Sequence, residues 1–171
     1  MKLRVVKMTV PTDNCFVCGK DNPAGLHAVV YGLENQQLAA RVTFQPHHQS
    51  YPGRVHGGVI TALLDEMAGQ VVQLVAPGTW GVTGEINVRF RKPVPYGEEV
   101  WVYARVTKHT TRLFTGEARL YLANGGLADV AVGHYVTLPI EEIADASLVD
   151  TNNWTTDLPA DAPHELDVPN W

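Results

Sequence analysis

Residues 53–69, GRVHGGVITALLDEMAG, are the most informative stretch of the chain. The pair Gly57-Gly58 opens a run of apolar residues at helical spacing, which a Pro-Gly stop ends after Ala76. The apolar positions are Val59, Ile60, Leu63, Leu64, Met67, Ala68, Val71, Val72, Leu74 and Val75. We predict a long helix that other elements cover on most sides, with a thin exposed polar stripe at Glu66, Gln70 and Gln73.

Strand patterns lie on both sides of this predicted helix. Residues up to about Asn22 are rich in turn formers and predict a loop. Residues 27–31 form a short apolar run, and residues 38–44 alternate apolar and polar positions. The later predicted strands are residues 80–90, 99–107, 113–122 and 127–138, with Asn124-Gly125-Gly126 as a hairpin turn between the last two. This order predicts an α+β fold in which a curled antiparallel sheet, continued as a long meander, wraps one central helix.

Length and charge limit the possible functions. The 171 residues are 45% hydrophobic and 18% charged, which fits one folded domain with an additional tail. Residues 139–171 carry eight acidic residues and no Lys or Arg, so residues 1–138 have ten acidic residues against 13 basic ones. The resulting charge of +3 suits a small anionic ligand and is too weak for nucleic acid. We predict a folded domain at 1–138 and an acidic arm at 139–171 that lies over the sheet or over a neighbouring subunit.

The location of the protein is predicted from what the sequence lacks. No stretch approaches the roughly 20 uninterrupted apolar residues of a membrane helix, and no secretory signal follows the first residues. Two cysteines cannot form a disulfide framework, so we expect a reducing cytoplasm.

The two cysteines, Cys15 and Cys18, form a CxxC pair that could begin a zinc site. Tetrahedral zinc needs four ligands, and the histidines available to complete the set are His27, His47 and His48. With no second cysteine pair, the motif favours a structural N-terminal loop, and no metal is predicted.

Two features of the predicted helix could take part in catalysis. Gly57 and Gly58 leave the backbone N–H groups of the first turn open to a polarised carbonyl, although a tight turn alone would also explain the pair. Asp65, two turns later among apolar residues, costs several kcal/mol unless it is paired, hydrogen-bonded or used in catalysis. A satisfied buried carboxylate is the alternative for Asp65.

Three segments together resemble the hotdog-fold acyl-CoA thioesterases, in the branch of the phenylacetyl-CoA thioesterases and the human thioesterase-superfamily members. They are GRVHGGVITALLDEMAG, TGEINVRFRKPVPYGEEVWVYARV at residues 83–106, and CFVCGKDNPAGL at residues 15–26. The resemblance covers roughly residues 14–138. It implies a hotdog fold, hydrolysis of acyl-CoA thioesters without a cofactor other than the substrate's own CoA, and a dimer or a dimer of dimers.

The resemblance also implies roles for particular residues. Asp65 would be the nucleophile or the general base for water, the Gly57 N–H would polarise the thioester carbonyl, and Thr83 would position water. Gly84 could mark a bulge that redirects Thr83. We expect His56 to shape the loop and pack near the site rather than to act as a base.

One position departs from the family pattern. Many members carry Asn where this chain has Ser50, with Gln49 beside it, and that Asn reaches the thioester from the neighbouring subunit, so this chain is expected to handle either the water or the leaving group differently. The departure leaves a non-catalytic acyl-CoA binder as the main alternative. A hydratase or dehydratase is less favoured, because the dehydratase signature HFPxxP is absent. The candidate partners for the CoA phosphates are Arg89, Arg91 and Lys92, with Lys108 and Arg112 at the next turn.

Overall fold

The computed structural model describes residues 1–9, 14–145, 155–156, 158 and 160–171. In these residues the strands are β1 (Lys2–Thr9), β2 (Val29–Leu33), β3 (Leu38–Thr43), β4 (Trp80–Phe90), β5 (Glu99–His109), β6 (Leu113–Tyr121), β7 (Leu127–Leu138), β8 (Thr155–Thr156) and β9 (Glu165–Asp167). The helices are α1 (Gly57–Gln70), α2 (Val72–Val75), α3 (Ile140–Ile143) and a 3-10 turn at Pro46–His48. The predicted long helix is therefore divided at Val71.

The strands form one antiparallel sheet in the order β4-β7-β6-β5-β3-β2-β1-β8, with β9 also paired to β1. The predicted meander is correct for β5, β6 and β7 only, because β4 pairs with β7 rather than with β5. The loop of residues 91–98, which contains two prolines, carries the chain across the sheet so that β5 can pair with β3. As a result, β4 lies at one end of the sheet.

Helix α1 packs against the concave face of the sheet, which confirms the predicted α+β architecture of one central helix in a curled sheet. Leu63, Leu64 and Met67 are fully buried. At Gly116 of β6, an added Cβ would overlap the backbone carbonyl of Ala68, so the absence of a side chain lets the helix approach the sheet closely. By length and composition alone, the stretch Gly57–Val75 could cross a membrane. Its burial under the sheet identifies it as a core helix.

The N-terminal prediction was wrong in part, because residues Lys2–Thr9 form strand β1 rather than a loop. Leu3 and Val5 are buried while Arg4 between them is exposed. The basic residues on the solvent face concealed this alternation, since a half-buried strand tolerates charge on its outer face.

The C-terminal residues lie on the convex face of the sheet in their own chain. Leu166 of β9 pairs with Leu3 of β1, and Val168 is buried in a second apolar cluster on that face. The Trp171 ring lies 4.3 Å from the Arg105 guanidinium, a cation–π contact. Two apolar residues of the predicted arm, Leu148 and Trp154, lie outside the described residues. The domain boundary at residue 138 stays a prediction.

Candidate active site

The structure brings Asp65 together with two hydroxyl groups from neighbouring strands. The Thr83 hydroxyl lies 3.0 Å from Oδ1 and 3.1 Å from Oδ2 of Asp65, and donates to the carboxylate. The Tyr135 hydroxyl lies 3.0 Å from Oδ1 and 3.0 Å from the Asp65 backbone carbonyl, so its proton is shared between them. Thr83 and Tyr135 are direct cross-strand partners on β4 and β7. Their shared register places both hydroxyls on the face that meets α1.

A bulge in β4 sets the direction of Thr83. The register between β4 and β7 shifts between Thr83 and Glu85, which leaves Gly84 as the extra residue. The predicted bulge at Gly84 is therefore confirmed. Because of the extra residue, Thr83 points towards the helix while Glu85, two positions later, points to the opposite face.

Tyr135 was not anticipated from the sequence. Its side chain is only 2% exposed, and an added Cβ at Gly133 would overlap the Tyr135 hydroxyl, so this glycine makes room for the ring. Burial and the adjacent Asp65 charge raise the pKa of Tyr135 above its usual value, so the hydroxyl stays a proton donor. Strand alternation predicts that Tyr135 faces the core, but only the sheet register shows that it reaches Asp65.

The predicted exposed position of Glu66 was wrong. Glu66 is half-buried, because the N-terminal loop that carries Cys15 and Cys18 packs over this part of the helix, and the Cys18 thiol lies 4.0 Å from its carboxylate. Burial, followed by the negative charges of Cys15 and Asp65, raises the pKa of Glu66 to about 7. Gln70 on the same stripe is half-buried too.

A surface cavity of about 180 Å³ opens beside the Asp65 carboxylate. It is lined by Asp65, Glu66, Gly69, Gln70, Gln73, Thr79, Trp80, Gly81, Thr83 and Tyr135. The cavity provides space for a small reactant next to the carboxylate and its two hydroxyl donors.

The beginning of α1 leaves one backbone donor free. His56 is the N-cap, and its Nδ1 accepts the Gly58 N–H at 2.9 Å. The His56 carbonyl accepts the N–H groups of Val59 and Ile60. In the described part of the chain, nothing accepts the Gly57 N–H. Of the predicted glycine pair, Gly57 can therefore polarise a carbonyl, while the Gly58 N–H is already used.

Ser50 and Gln49 lie in the loop before α1. Ser50 is exposed, and its backbone N–H bonds to the carbonyl of Arg54. The Gln49 side-chain oxygen accepts from the Tyr96 hydroxyl at 3.2 Å. Both residues therefore lie near the N-terminal end of α1, where Gly57 is.

The predicted site residues form two groups that are separated along α1. Asp65 lies eight positions after Gly57, which is about 12 Å along the helix at 1.5 Å per residue. A carbonyl that receives the Gly57 N–H is therefore too distant for attack by Asp65 of the same chain.

The predicted phosphate partners are not brought to Asp65 within one chain. Arg89 and Arg91 are exposed and line a groove with Arg119. Strand alternation after the bulge puts Arg89 on the face of β4 opposite to the helix. Lys92, like Lys108 and Arg112, is exposed, and the role of all these cations stays a prediction.

The histidines proposed to complete a zinc site do not do so. In the described ranges, the metal-ligating group contains Cys15 and Cys18 with Glu66 rather than a histidine. His48 instead makes a 3.2 Å contact with the Ala24 carbonyl, and His27 bonds to the carbonyl of Asn22.

Comparison with known proteins gives a consistent result. The family model of the Thioesterase superfamily matches residues 52–128. The crystal structure of protein RHA08564, a thioesterase superfamily protein, superposes with a TM-score of 0.67 at 27% identity, covering 72% of this chain and 60% of that one. The structure of smu.793 from Streptococcus mutans, bound to acetyl CoA, has a TM-score of 0.56 at 16% identity, covering 61% of this chain and 82% of that one. The resemblance to the hotdog-fold thioesterases is therefore confirmed.

The chain is also similar to a curated protein, acyl-coenzyme A thioesterase 13 of Mus musculus, at 25% identity over 73 residues. That match spans 43% of this chain and about half, 52%, of the mouse protein. Helix α1 and strands β4, β5 and β6 lie inside the segment matched by the family model, whereas β1 to β3, nearly all of β7 and the C-terminal strands lie outside it.

Proposed function

We propose that this protein hydrolyses acyl-CoA thioesters to a carboxylic acid and free CoA. The observation that carries the proposal is the Asp65 carboxylate, held by the hydroxyls of Thr83 and Tyr135 at the edge of a cavity. The similarity to a mouse acyl-CoA thioesterase and to a neighbour that binds acetyl CoA supports the substrate class. Cys15 and Cys18 are not joined in a disulfide, which fits the reducing cytoplasm that we propose as the location.

In the proposed mechanism, the Gly57 N–H donates to the thioester oxygen, and the helix N-terminus stabilises the negative charge that develops there. Asp65 either attacks the carbonyl carbon, forming an anhydride that water then hydrolyses, or removes a proton from an attacking water. In both routes the C–S bond breaks, the thiolate leaves and takes a proton, and one water is consumed. The Thr83 hydroxyl orients the water or the carboxylate.

We further propose that each active site is shared between two subunits. The separation of about 12 Å between Gly57 and Asp65 requires that one carbonyl meets these groups from different chains. The exposed end strand β4 supports such an assembly, because within the described sheet it pairs only with β7. Beside it, exposed Val82, Val136 and Leu113 form an apolar row across three strands, and Leu113 is 55% exposed. A homodimer, or a dimer of dimers, would cover this edge.

The activity is tested by a panel of acyl-CoA esters with release of free thiol as the readout. We expect turnover with at least one ester, and a loss of about 100-fold or more in Asp65→Asn. Glu85→Gln is the matched control, since Glu85 is exposed on the opposite face of β4. Tight acyl-CoA binding without thiol release would instead favour the non-catalytic binder.

The shared site is tested by mixing two inactive variants. Gly57→Pro removes the single free N–H, and proline is well tolerated at the first position of a helix. His56 already has the extended backbone, φ −66° and ψ 134°, that a residue before proline prefers. Gly57→Ala, whose Cβ would lie 3.4 Å from the Phe90 ring, keeps the N–H and is the control.

If the site is shared, re-equilibrating Gly57→Pro with Asp65→Asn restores about a quarter of wild-type activity, because half the dimers are mixed and each has one intact site. No restoration, or sedimentation of the purified protein only as an 18.7 kDa species, would contradict the shared site.

A further inference from the structure

Three side chains with metal-ligating atoms lie together outside the proposed catalytic cluster. The thiols of Cys15 and Cys18 and a carboxylate oxygen of Glu66 are all within 4.8 Å of one another. The cysteines come from the N-terminal loop, and Glu66 comes from α1. We refer to these three residues as the Cys2Glu cluster. The proposed hydrolysis makes no use of them.

The loop holds the cysteines in an arrangement suited to a metal. The backbone N–H groups of Val17 and Cys18 each lie 3.4 Å from the Cys15 sulfur, and the Gly19 N–H bonds to the Cys15 carbonyl at 3.0 Å. Donors directed at a sulfur favour its thiolate form, which is the form that binds metals.

Among the described residues, no Lys, Arg or His forms an ion pair with Glu66. In the part of the chain that the structure describes, its only hydrogen-bond contact is the Cys18 thiol, at 4.0 Å. The charged groups that act on Glu66 are Cys15 and Asp65, and both are negative when ionised. Burying a carboxylate among groups of like charge is unfavourable unless a cation compensates it. A divalent ion at this point would compensate Glu66 and both thiolates together.

We propose that Cys15, Cys18 and Glu66 bind a zinc ion, with water in the fourth position. Two thiolates and one carboxylate are ligands that zinc accepts, whereas calcium and magnesium prefer oxygen alone. Tetrahedral zinc places a sulfur and an oxygen ligand about 3.5 Å apart, so the observed 4.0 Å needs to shorten by about 0.5 Å.

The bound zinc stabilises the fold rather than taking part in hydrolysis. It ties the N-terminal loop to α1 at the residue next to Asp65. Val17 and Leu26 of the same loop are already packed into the main core, so the ion would fasten a segment that contributes to that core. This inference stands on the cluster alone and does not depend on the proposed thioesterase activity.

The test uses the full chain, kept reduced and stripped of metal, with Co²⁺ as the spectroscopic probe. We expect thiolate-to-cobalt charge-transfer absorption and tetrahedral d–d bands that saturate at one Co²⁺ per chain, and displacement of the cobalt by Zn²⁺. We also expect Zn²⁺ to raise the thermal midpoint, because a ligand that binds only the folded state stabilises it. Alkylating both thiols before the titration should abolish the bands, and this control needs no variant.

Variants then test each ligand. Cys15→Ser and Cys18→Ser should lose the charge-transfer band, and Glu66→Gln should bind Co²⁺ at least about tenfold more weakly. Glu85→Gln is the matched exposed control and should bind like the wild type. The proposal is overturned if the reduced wild-type protein shows no stoichiometric bands, if binding survives alkylation, or if Glu66→Gln binds as tightly as the wild type. Circular dichroism checks that each variant is folded.

Discussion

Asp65 and Glu66 are neighbours on α1, yet they lie in two different environments. Their side chains point about 100° apart around the helix, so each meets a different part of the fold. The Asp65 side is formed by β4 and β7, whose hydroxyls donate to its carboxylate. The Glu66 side is formed by the N-terminal loop, which places the thiols of Cys15 and Cys18 beside its carboxylate.

This difference shows how tertiary contacts assign different roles to the same functional group. Donors from Thr83 and Tyr135 hold the Asp65 carboxylate in one orientation beside an open cavity, which suits attack on a substrate. Glu66 receives no comparable donor, and burial favours its protonated form or its pairing with a metal ion. Four experiments can break or sharpen this contrast.

The largest expected effect is on turnover. Asp65→Asn should lower kcat/KM for acyl-CoA hydrolysis by about 100-fold or more, and Glu66→Gln by less than about tenfold, because of these two carboxylates only Asp65 is proposed to attack the carbonyl or activate water. Thiol release measures both, with sedimentation to confirm an unchanged assembly. Equal losses in the two variants would remove the distinction between the carboxylates.

The second effect is on the pH dependence of stability in the metal-free, reduced protein. The pKa of Glu66 is raised to about 7, above the value near 4.3 of an unfolded chain, so the folded state binds more protons between these values. Its contribution to stability therefore falls as pH rises through this range and is constant above it.

Urea unfolding at pH 5 and pH 8 measures this effect. Between pH 5 and pH 8, the free energy of unfolding of the wild type should fall by about 2 kcal/mol more than that of Glu66→Gln. Asp129, a buried carboxyl with a raised pKa of about 6, titrates in both proteins and cancels in the difference, which therefore reports Glu66 together with its coupling to Cys15. A difference of zero would show that Glu66 is paired in the folded protein.

The third effect concerns the hydroxyl on β4. Thr83→Val keeps the shape of the side chain but loses its donor to Asp65, and we expect kcat to fall about tenfold with a small change in KM. Thr83→Ser keeps the hydroxyl and is the matched control, with an expected loss below about threefold. If the Val and Ser variants lose activity equally, the methyl group rather than the hydroxyl is what matters.

The smallest effect is expected for the hydroxyl on β7. Tyr135→Phe removes a buried hydrogen bond to Asp65, and the free energy of unfolding should fall by about 1 kcal/mol. Tyr51→Phe, at a tyrosine that is 78% exposed, is the control and should change little. Chemical denaturation measures both, and an unchanged stability in Tyr135→Phe would mean that water replaces the hydroxyl.

Local patterns in the sequence predicted a large part of the fold. The central helix, the strands from residue 80 to residue 138 and the bulge at Gly84 follow from periodicity and from glycine placement, which act over a few residues. The error at β1 has the same origin, since basic residues on the outer face concealed a short alternation. Strand pairing, such as β4 with β7, depends on contacts far apart in the chain and could not be predicted from periodicity.

For the candidate site, the sequence by itself determined that Gly57 begins a helix and that Asp65 lies two turns later in an apolar run. Only the tertiary structure decided what covers each face of that helix. Tyr135 reaches Asp65 across 70 residues of sequence, and Cys18 reaches Glu66 across 48. The physical reason is that helical spacing fixes the direction of a side chain relative to its own backbone, whereas burial and hydrogen bonding depend on which distant segment packs against it.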